Sequence, residues 1–182
     1  MASLKSFLPI LSKCTGVSVT ALYERQRALV RLGHLPKPQQ TGRNSGGAQA
    51  DPRSVAIVLI SLLATDALSE MDERIAKFLD LRPSQMSRDG RGSTNLEACP
   101  ITGQATFLDA TQFILEGKTR SIVSVSVERE VFTAAIRDPS KEPVAYSYFG
   151  NRKPSRLRLR RDVSCWSLYD LYEALSDVRE GK

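Results

Sequence analysis

The sequence predicts a mainly α N-terminal part followed by a C-terminal α+β part with an antiparallel sheet of about four strands. Up to about residue 82 apolar residues recur every three or four positions, as in amphipathic helices, whereas beyond residue 95 short runs alternate apolar and polar side chains, as in strands. Between them, residues 83–95 are rich in Gly, Ser, Arg and Asp, as linkers are. We therefore predict domains at 1–82 and 96–182, joined by a linker at 83–95.

Three helices are predicted in the N-terminal part. The first covers 19–32 and should end at Gly33, because glycine accepts the left-handed backbone that closes helices. The second, 55–64, is apolar on all sides and should be central. The third, 66–81, is amphipathic.

The C-terminal part is predicted to begin with a helix over 106–116 and to end with a helix capped by Ser167. Between them, four alternating segments predict strands at 121–128, 131–136, 144–149 and 156–160. Their connections are short, which favours antiparallel pairing.

The positive charge of the chain is concentrated near its N-terminus. Residues 1–64 contain eight Lys and Arg but two Asp and Glu, so this third carries the whole net charge of +6. A basic head on a neutral body is typical of a module that binds a polyanion, although a solvated basic face has the same composition.

Several classes of protein are disfavoured by what the sequence lacks. Cys14, Cys99 and Cys165 form no C-x-x-C pair, and His34 is the one histidine, so we expect no disulfide framework, metal site or cofactor. No nucleophile–histidine or nucleotide-loop motif is present, and we expect no enzyme. No apolar run is long enough for a membrane span and no signal peptide is evident, so we expect a cytoplasmic, nucleoid-associated protein.

Residues 11–25 carry the features of a helix-turn-helix. Gly16 allows the tight turn, and Ser18 is a good N-cap for the helix that follows. Val17 and Leu22 are placed to pack the two helices together. In such motifs the second helix enters the major groove and its first turns reach the bases.

The run T-G-V-S-x-x-x-L-Y-E-R, followed by G-H-L-P and a Gly-rich basic loop, resembles the winged helix-turn-helix domains of the MerR type over about residues 8–60. The resemblance implies that residues 35–52 form a wing on the DNA backbone. The helix over 19–32 is longer than usual in that family and no long dimerising coiled coil follows, so we carry over the mode of DNA binding and not metal or drug sensing.

The predicted DNA-binding residues lie on the helix over 19–32, at its N-cap, and on the wing. They are Ser18, Thr20, Tyr23, Glu24, Arg25, Arg27, Arg31, Lys37, Arg43 and Arg53. A second basic surface is predicted from Arg152, Lys153, Arg156, Arg158 and Arg160, either for phosphate or an acidic partner, or as a charged edge strand that prevents aggregation.

These features predict a homodimeric transcriptional regulator of phage or prophage type that binds double-stranded DNA, with RNA polymerase or another acidic protein as a further partner. Two alternatives stay open. One is a phage-type packaging or replication-initiation factor, and the other is an adaptor that binds an acidic protein without DNA.

Overall fold

The computed structural model describes residues 2–37, 47–86, 93–119, 123–150 and 160–181. In these ranges the chain forms six α-helices: α1 (Leu4–Thr15), α2 (Val19–Arg31), α3 (Pro52–Ala64), α4 (Met71–Leu79), α5 (Phe107–Leu115) and α6 (Cys165–Glu180). It also forms six strands: β1 (Pro83–Met86), β2 (Ser93–Asn95), β3 (Ser124–Glu128), β4 (Thr133–Asp138), β5 (Ala145–Phe149) and β6 (Arg160–Val163).

The turn between α1 and α2 is built as the sequence predicts. Gly16 closes α1 in the left-handed region, with φ of 72°. Two residues later, the Ser18 hydroxyl accepts a hydrogen bond from the backbone N–H of Ala21 at 3.3 Å and caps α2. Leu22 is fully buried, Val17 packs against the core, and α1 contacts α2.

Helix α3 is the centre of the helical part. Eleven of its thirteen residues are buried, and it packs against α2, α4 and α5. Asp51 caps its N-terminus by accepting from the backbone N–H of Ser54 at 2.9 Å. The helix predicted over 66–81 is shorter than expected, because a 3₁₀ turn at Leu68–Glu70 precedes α4.

The antiparallel sheet has six strands in the order β2-β1-β5-β4-β3-β6, whereas the sequence predicts four. The two additional strands come from the predicted linker, since β1 pairs with β2 and also with β5, where Pro83 lies opposite Phe149. The alternation of apolar and polar residues is a weak signal in such short strands. These strands are stabilised by the pairing of β1 with β5, which the local sequence does not indicate.

The other strand predictions are shifted by a few residues. Strands β3, β4 and β5 overlap the predicted segments, and residues 121 and 122 lie outside the described ranges. Strand β6 begins at Arg160, where the predicted strand ends, and residues 156–159 are likewise not described. Helix α6 begins earlier than predicted, because Ser164 rather than Ser167 is its N-cap and accepts from the Ser167 N–H at 3.1 Å.

Buried apolar residues from both predicted domains belong to one core. Helix α1 packs against α6, and α3 packs against α5. Val125, Ile136 and Phe149 contribute the sheet's side of this core. The helical part and the sheet therefore share their apolar interior.

Among the described residues, no single helix is long and apolar enough to cross a membrane; only α3 together with 68–79, bent by 114° where they join, reaches that length and composition.

Candidate nucleic-acid interface

Helix α2 presents one continuous polar face. Its core side carries Leu22, Arg25, Ala28 and Leu29, all buried. The opposite side exposes Thr20, Glu24, Arg27 and Arg31, which follow each other at intervals of three and four residues. Within this face the Arg27 guanidinium lies 3.3 Å from the Glu24 carboxylate, and both side chains are largely exposed. An exposed pair of this kind is weak, so the arginine can be recruited by a stronger anion.

A groove of about 650 Å³ runs beside this face. Its lining comes from the start of α1, from α2, and from the chain on either side of residues 38–46. The lining residues are Ser3, Lys5, Tyr23, Gln26, Arg27, Val30, Arg31, Lys37, Gly47 and Ala48. Four of these are cations and, among the described lining residues, none is acidic. The groove is therefore an electropositive concavity, which favours anionic ligands.

Tyr23 forms an aromatic wall of the groove between two cations. The Nζ of Lys5 lies 5.2 Å from the centroid of its ring, and the guanidinium carbon of Arg27 lies 5.9 Å from it. Both distances are in the range of cation–π attraction. Cations from two separate helices, α1 and α2, therefore lie close together beside this ring.

The amide of Gln26 lies on the same side of α2. Its Oε1 is buried and has no hydrogen-bond partner in the described structure. Burial of an unpaired carbonyl oxygen is costly, and native proteins contain few such atoms. Because this oxygen has almost no accessible surface, a donor on a ligand in the groove can reach it only after the Gln26 side chain turns towards the groove.

Arg25 does not belong to this surface, which corrects the prediction that it contacts DNA. It is 6% exposed and its Nη1 donates to the carbonyl of Ser61 at 2.7 Å. Burial lowers the pKa of its guanidinium, while the charge of Asp66 opposes that shift. The physical reason is helix geometry: position 25 follows Leu22 by three residues and so faces the end of α3 rather than solvent.

Arg53 is also placed away from the groove. It lies in the first turn of α3, 3.3 Å from the carboxylate of Asp109, and donates to Gln112 of α5. Its side chain is half exposed, so it is a surface residue that joins two helices. Ser18 and Thr20 are exposed at the start of α2, where Ser18 has the capping role already described.

Several predicted site residues lie outside the described ranges. They are Arg43 of the predicted wing and Arg152, Lys153, Arg156 and Arg158 of the predicted second basic surface. Arg160, the last member of that set, is exposed on β6 and lies opposite Glu128 of β3. At the described ends of the wing segment, Gln49 forms an isolated bridge with Ser3 at the start of α1.

Lys5 and Gln26 were not among the predicted site residues. Lys5 is far from α2 in sequence, and it reaches the groove because Ser3 and Leu4 are tied to the chain at 48 and 49. The spacing of Gln26 could have predicted its place in the groove, since it follows Tyr23 by three residues on the same side of the helix. However, a glutamine on a helix surface is usually a solvated residue, and nothing in the sequence distinguished Gln26 from one.

No cluster of metal-ligating side chains is found among the described residues. His34 is mostly buried and its Nε2 lies 3.4 Å from the Asp72 carboxylate, which places it at the junction of α2 and α4 rather than in the groove.

No protein-family model, curated protein or solved structure matches this chain. The resemblance to the MerR-type domain therefore rests on the sequence motif of residues 8–60 alone.

Proposed function

We propose that the chain binds double-stranded DNA and acts as a transcriptional regulator, with the exposed face of α2 in the major groove. The observation that carries the proposal is the convergence of Lys5, Arg27, Arg31 and Lys37 around one groove beside that face. Cations from separate elements that meet at one edge can neutralise successive phosphates while the helix face reaches the bases.

The composition of the helix face supports this mode of binding. Thr20 and Glu24 lie near the N-terminus of α2, where side chains of recognition helices reach base edges. A threonine can contact any base and a glutamate can accept from the exocyclic amine of cytosine. Arg27 and Arg31 follow on the same face and can contact either guanine or phosphate.

Direct titration of duplex DNA tests the proposal. Fluorescence anisotropy with labelled genomic fragments at 50–200 mM salt should show affinity that falls steeply with salt, by a log–log slope of about −0.9 per phosphate contact. Changing Arg27→Ala and Arg31→Ala together should reduce that slope by about 2.

Lys141→Ala is the control, because Lys141 is an exposed cation between β4 and β5 that lies outside the helix-turn-helix and does not line the groove. It should leave the slope unchanged. Absence of duplex binding at low salt, or an equal loss in the control, would contradict the proposal. Competition by an acidic polypeptide with equal affinity would instead favour the adaptor function.

The proposal includes a homodimer, because one small module binds DNA weakly and palindromic sites require two-fold symmetry. Sedimentation velocity of the full chain with and without DNA tests this part. A ring-shaped assembly would favour the packaging or replication-initiation alternative.

A further inference from the structure

The groove beside α2 has the properties of a small-ligand site as well as those of a phosphate-contacting edge. Its volume of about 650 Å³ lies within the range of cofactor and ligand pockets. Duplex DNA is convex and contacts the rim of such a concavity, whereas its interior has room for a molecule of the size of one nucleotide. The interior therefore offers space for a small ligand that duplex DNA would not fill.

We infer that the groove binds a free mononucleotide, which is a nucleobase joined to a phosphate. Three independent features select this chemistry. Tyr23 supplies a ring on which a base can stack in place of the Lys5 ammonium, Gln26 supplies an acceptor once its side chain turns towards the groove, and the cations at the rim supply the phosphate contacts. Val30 and Ala48 add an apolar wall, which suits the rest of the base and the sugar.

The unpartnered Gln26 oxygen distinguishes a nucleotide from a simple anion. Sulfate carries only acceptors and would leave Oε1 without a donor, whereas adenine, cytosine and guanine carry exocyclic amines that can donate to it. The oxygen costs stability in the free protein and would be satisfied in the complex. A site that requires a donor, an aromatic surface and several cations is more specific than a basic surface.

Binding in the interior has a regulatory consequence. Arg27 and Arg31 line the groove and also belong to the face proposed to contact DNA. A bound nucleotide would compete for these cations, so its concentration would control DNA affinity. Only this consequence rests on the proposed DNA binding; occupancy of the groove does not.

Isothermal titration of the full chain with AMP, GMP, CMP and UMP tests the inference, with inorganic phosphate, adenosine and a single-stranded oligonucleotide as separate arms. At least one mononucleotide should bind with one-to-one stoichiometry and more tightly than either phosphate or adenosine. Binding by none of the four, equal binding of phosphate, or binding of the oligonucleotide alone would overturn it.

Variants assign the contacts. Tyr23→Leu should weaken nucleotide binding about 10-fold through lost stacking. Lys5→Gln should weaken it as well, whereas Lys13→Gln on the same helix should not. An equal effect of the two lysine changes would overturn the assignment of the phosphate end.

Gln26→Leu distinguishes a ligand-binding role of this amide from a purely structural one. It should raise the melting temperature of the free protein, because it removes a buried unsatisfied oxygen, and should weaken the preferred amino-bearing nucleotide about 5-fold. Loss of stability, or greater stability with unchanged nucleotide affinity, would overturn the role of this amide. Failure of this inference can be told apart from failure of the proposed function. Nucleotide binding without duplex binding would contradict the proposed function alone, and duplex binding without nucleotide binding would contradict this inference alone.

Discussion

Arg129 donates two parallel hydrogen bonds to Asp66, from Nη1 to Oδ2 at 2.7 Å and from Nη2 to Oδ1 at 3.1 Å. The same guanidinium donates to the carbonyls of Leu63 at 2.7 Å and Leu62 at 3.0 Å. Arg129 follows β3, whereas these carbonyls end α3. The contact therefore joins the sheet to the central helix and satisfies carbonyls that a helix end leaves without partners.

Replacing Arg129 with Met should be among the most destabilising changes of a charged residue in this protein. It leaves the carbonyls of Leu62 and Leu63 without their donor, and we expect a loss of about 3 kcal/mol in the free energy of unfolding. Urea denaturation measures this. Lys77→Ala removes an exposed i,i+4 pair with Glu73 and a cation–π contact with Phe132, and should cost under about 1 kcal/mol. A loss as small as that control's would contradict the capping role.

Acid should weaken the same junction through Asp66. Its hydrogen bonds and charge interaction with Arg129 lower the pKa of the carboxyl from 3.8 to about 2. A lowered pKa in the folded state means that the contribution is complete above the ordinary pKa and is lost as pH falls through the folded value. The stability difference between the unmodified protein and Asp66→Asn should therefore be constant above about pH 5 and vanish towards pH 2. Urea unfolding between pH 2 and 6 measures it, and a constant difference would refute the assignment.

Arg25 and Arg27 should have opposite roles although two positions separate them. Arg25 is buried against the Ser61 carbonyl, so Arg25→Met should lower the free energy of unfolding by about 2 kcal/mol. Arg27 is exposed, so Arg27→Ala should change stability by under about 0.5 kcal/mol and weaken duplex DNA binding. Thermal unfolding and anisotropy on both variants measure the two effects. If Arg25→Met folds stably and loses DNA affinity alone, the assignment is wrong.

Comparing alanine substitutions at Gly117 and Gly103 distinguishes the cost of backbone strain from the cost of a steric clash. Both have positive φ, at 69° and 73°, so a change to Ala strains both backbones by about 1 kcal/mol. A Cβ at position 117 would also clash with Cε2 of Tyr172 on α6, whereas nothing lies within 4 Å of one at position 103. We expect Gly117→Ala to cost about 1–3 kcal/mol more than Gly103→Ala. Equal losses in urea denaturation would show that the Tyr172 ring does not restrict this turn.

Local chemistry was enough to predict the elements whose signals are short-range. Gly16 and Ser18 specify the turn between α1 and α2 because backbone freedom and side-chain capping act over three or four residues. The continuous apolar run of α3 predicts its burial for the same reason, since no other environment suits a helix that is apolar on all sides.

The strands of the predicted linker and the site itself could not be predicted in this way. Strand β1 depends on its pairing with β5, more than sixty residues away, which no local pattern encodes. Arg25 and Arg27 are equivalent by type. The spacing from Leu22 places Arg25 on the buried face of α2, and the end of α3 supplies its hydrogen-bond partner. Lys5 reaches Tyr23 because α1 packs against α2.

The sequence by itself determined the turn between α1 and α2, the central helix, the approximate positions of β3, β4 and β5, and the concentration of positive charge in residues 1–64. Tertiary structure decided which cations share a groove, which arginines stabilise the end of α3, and how the sheet gains two strands. The reason is the range of the forces. Capping and periodicity act between neighbours along the chain, whereas charge convergence and strand pairing arise only when distant segments are packed together.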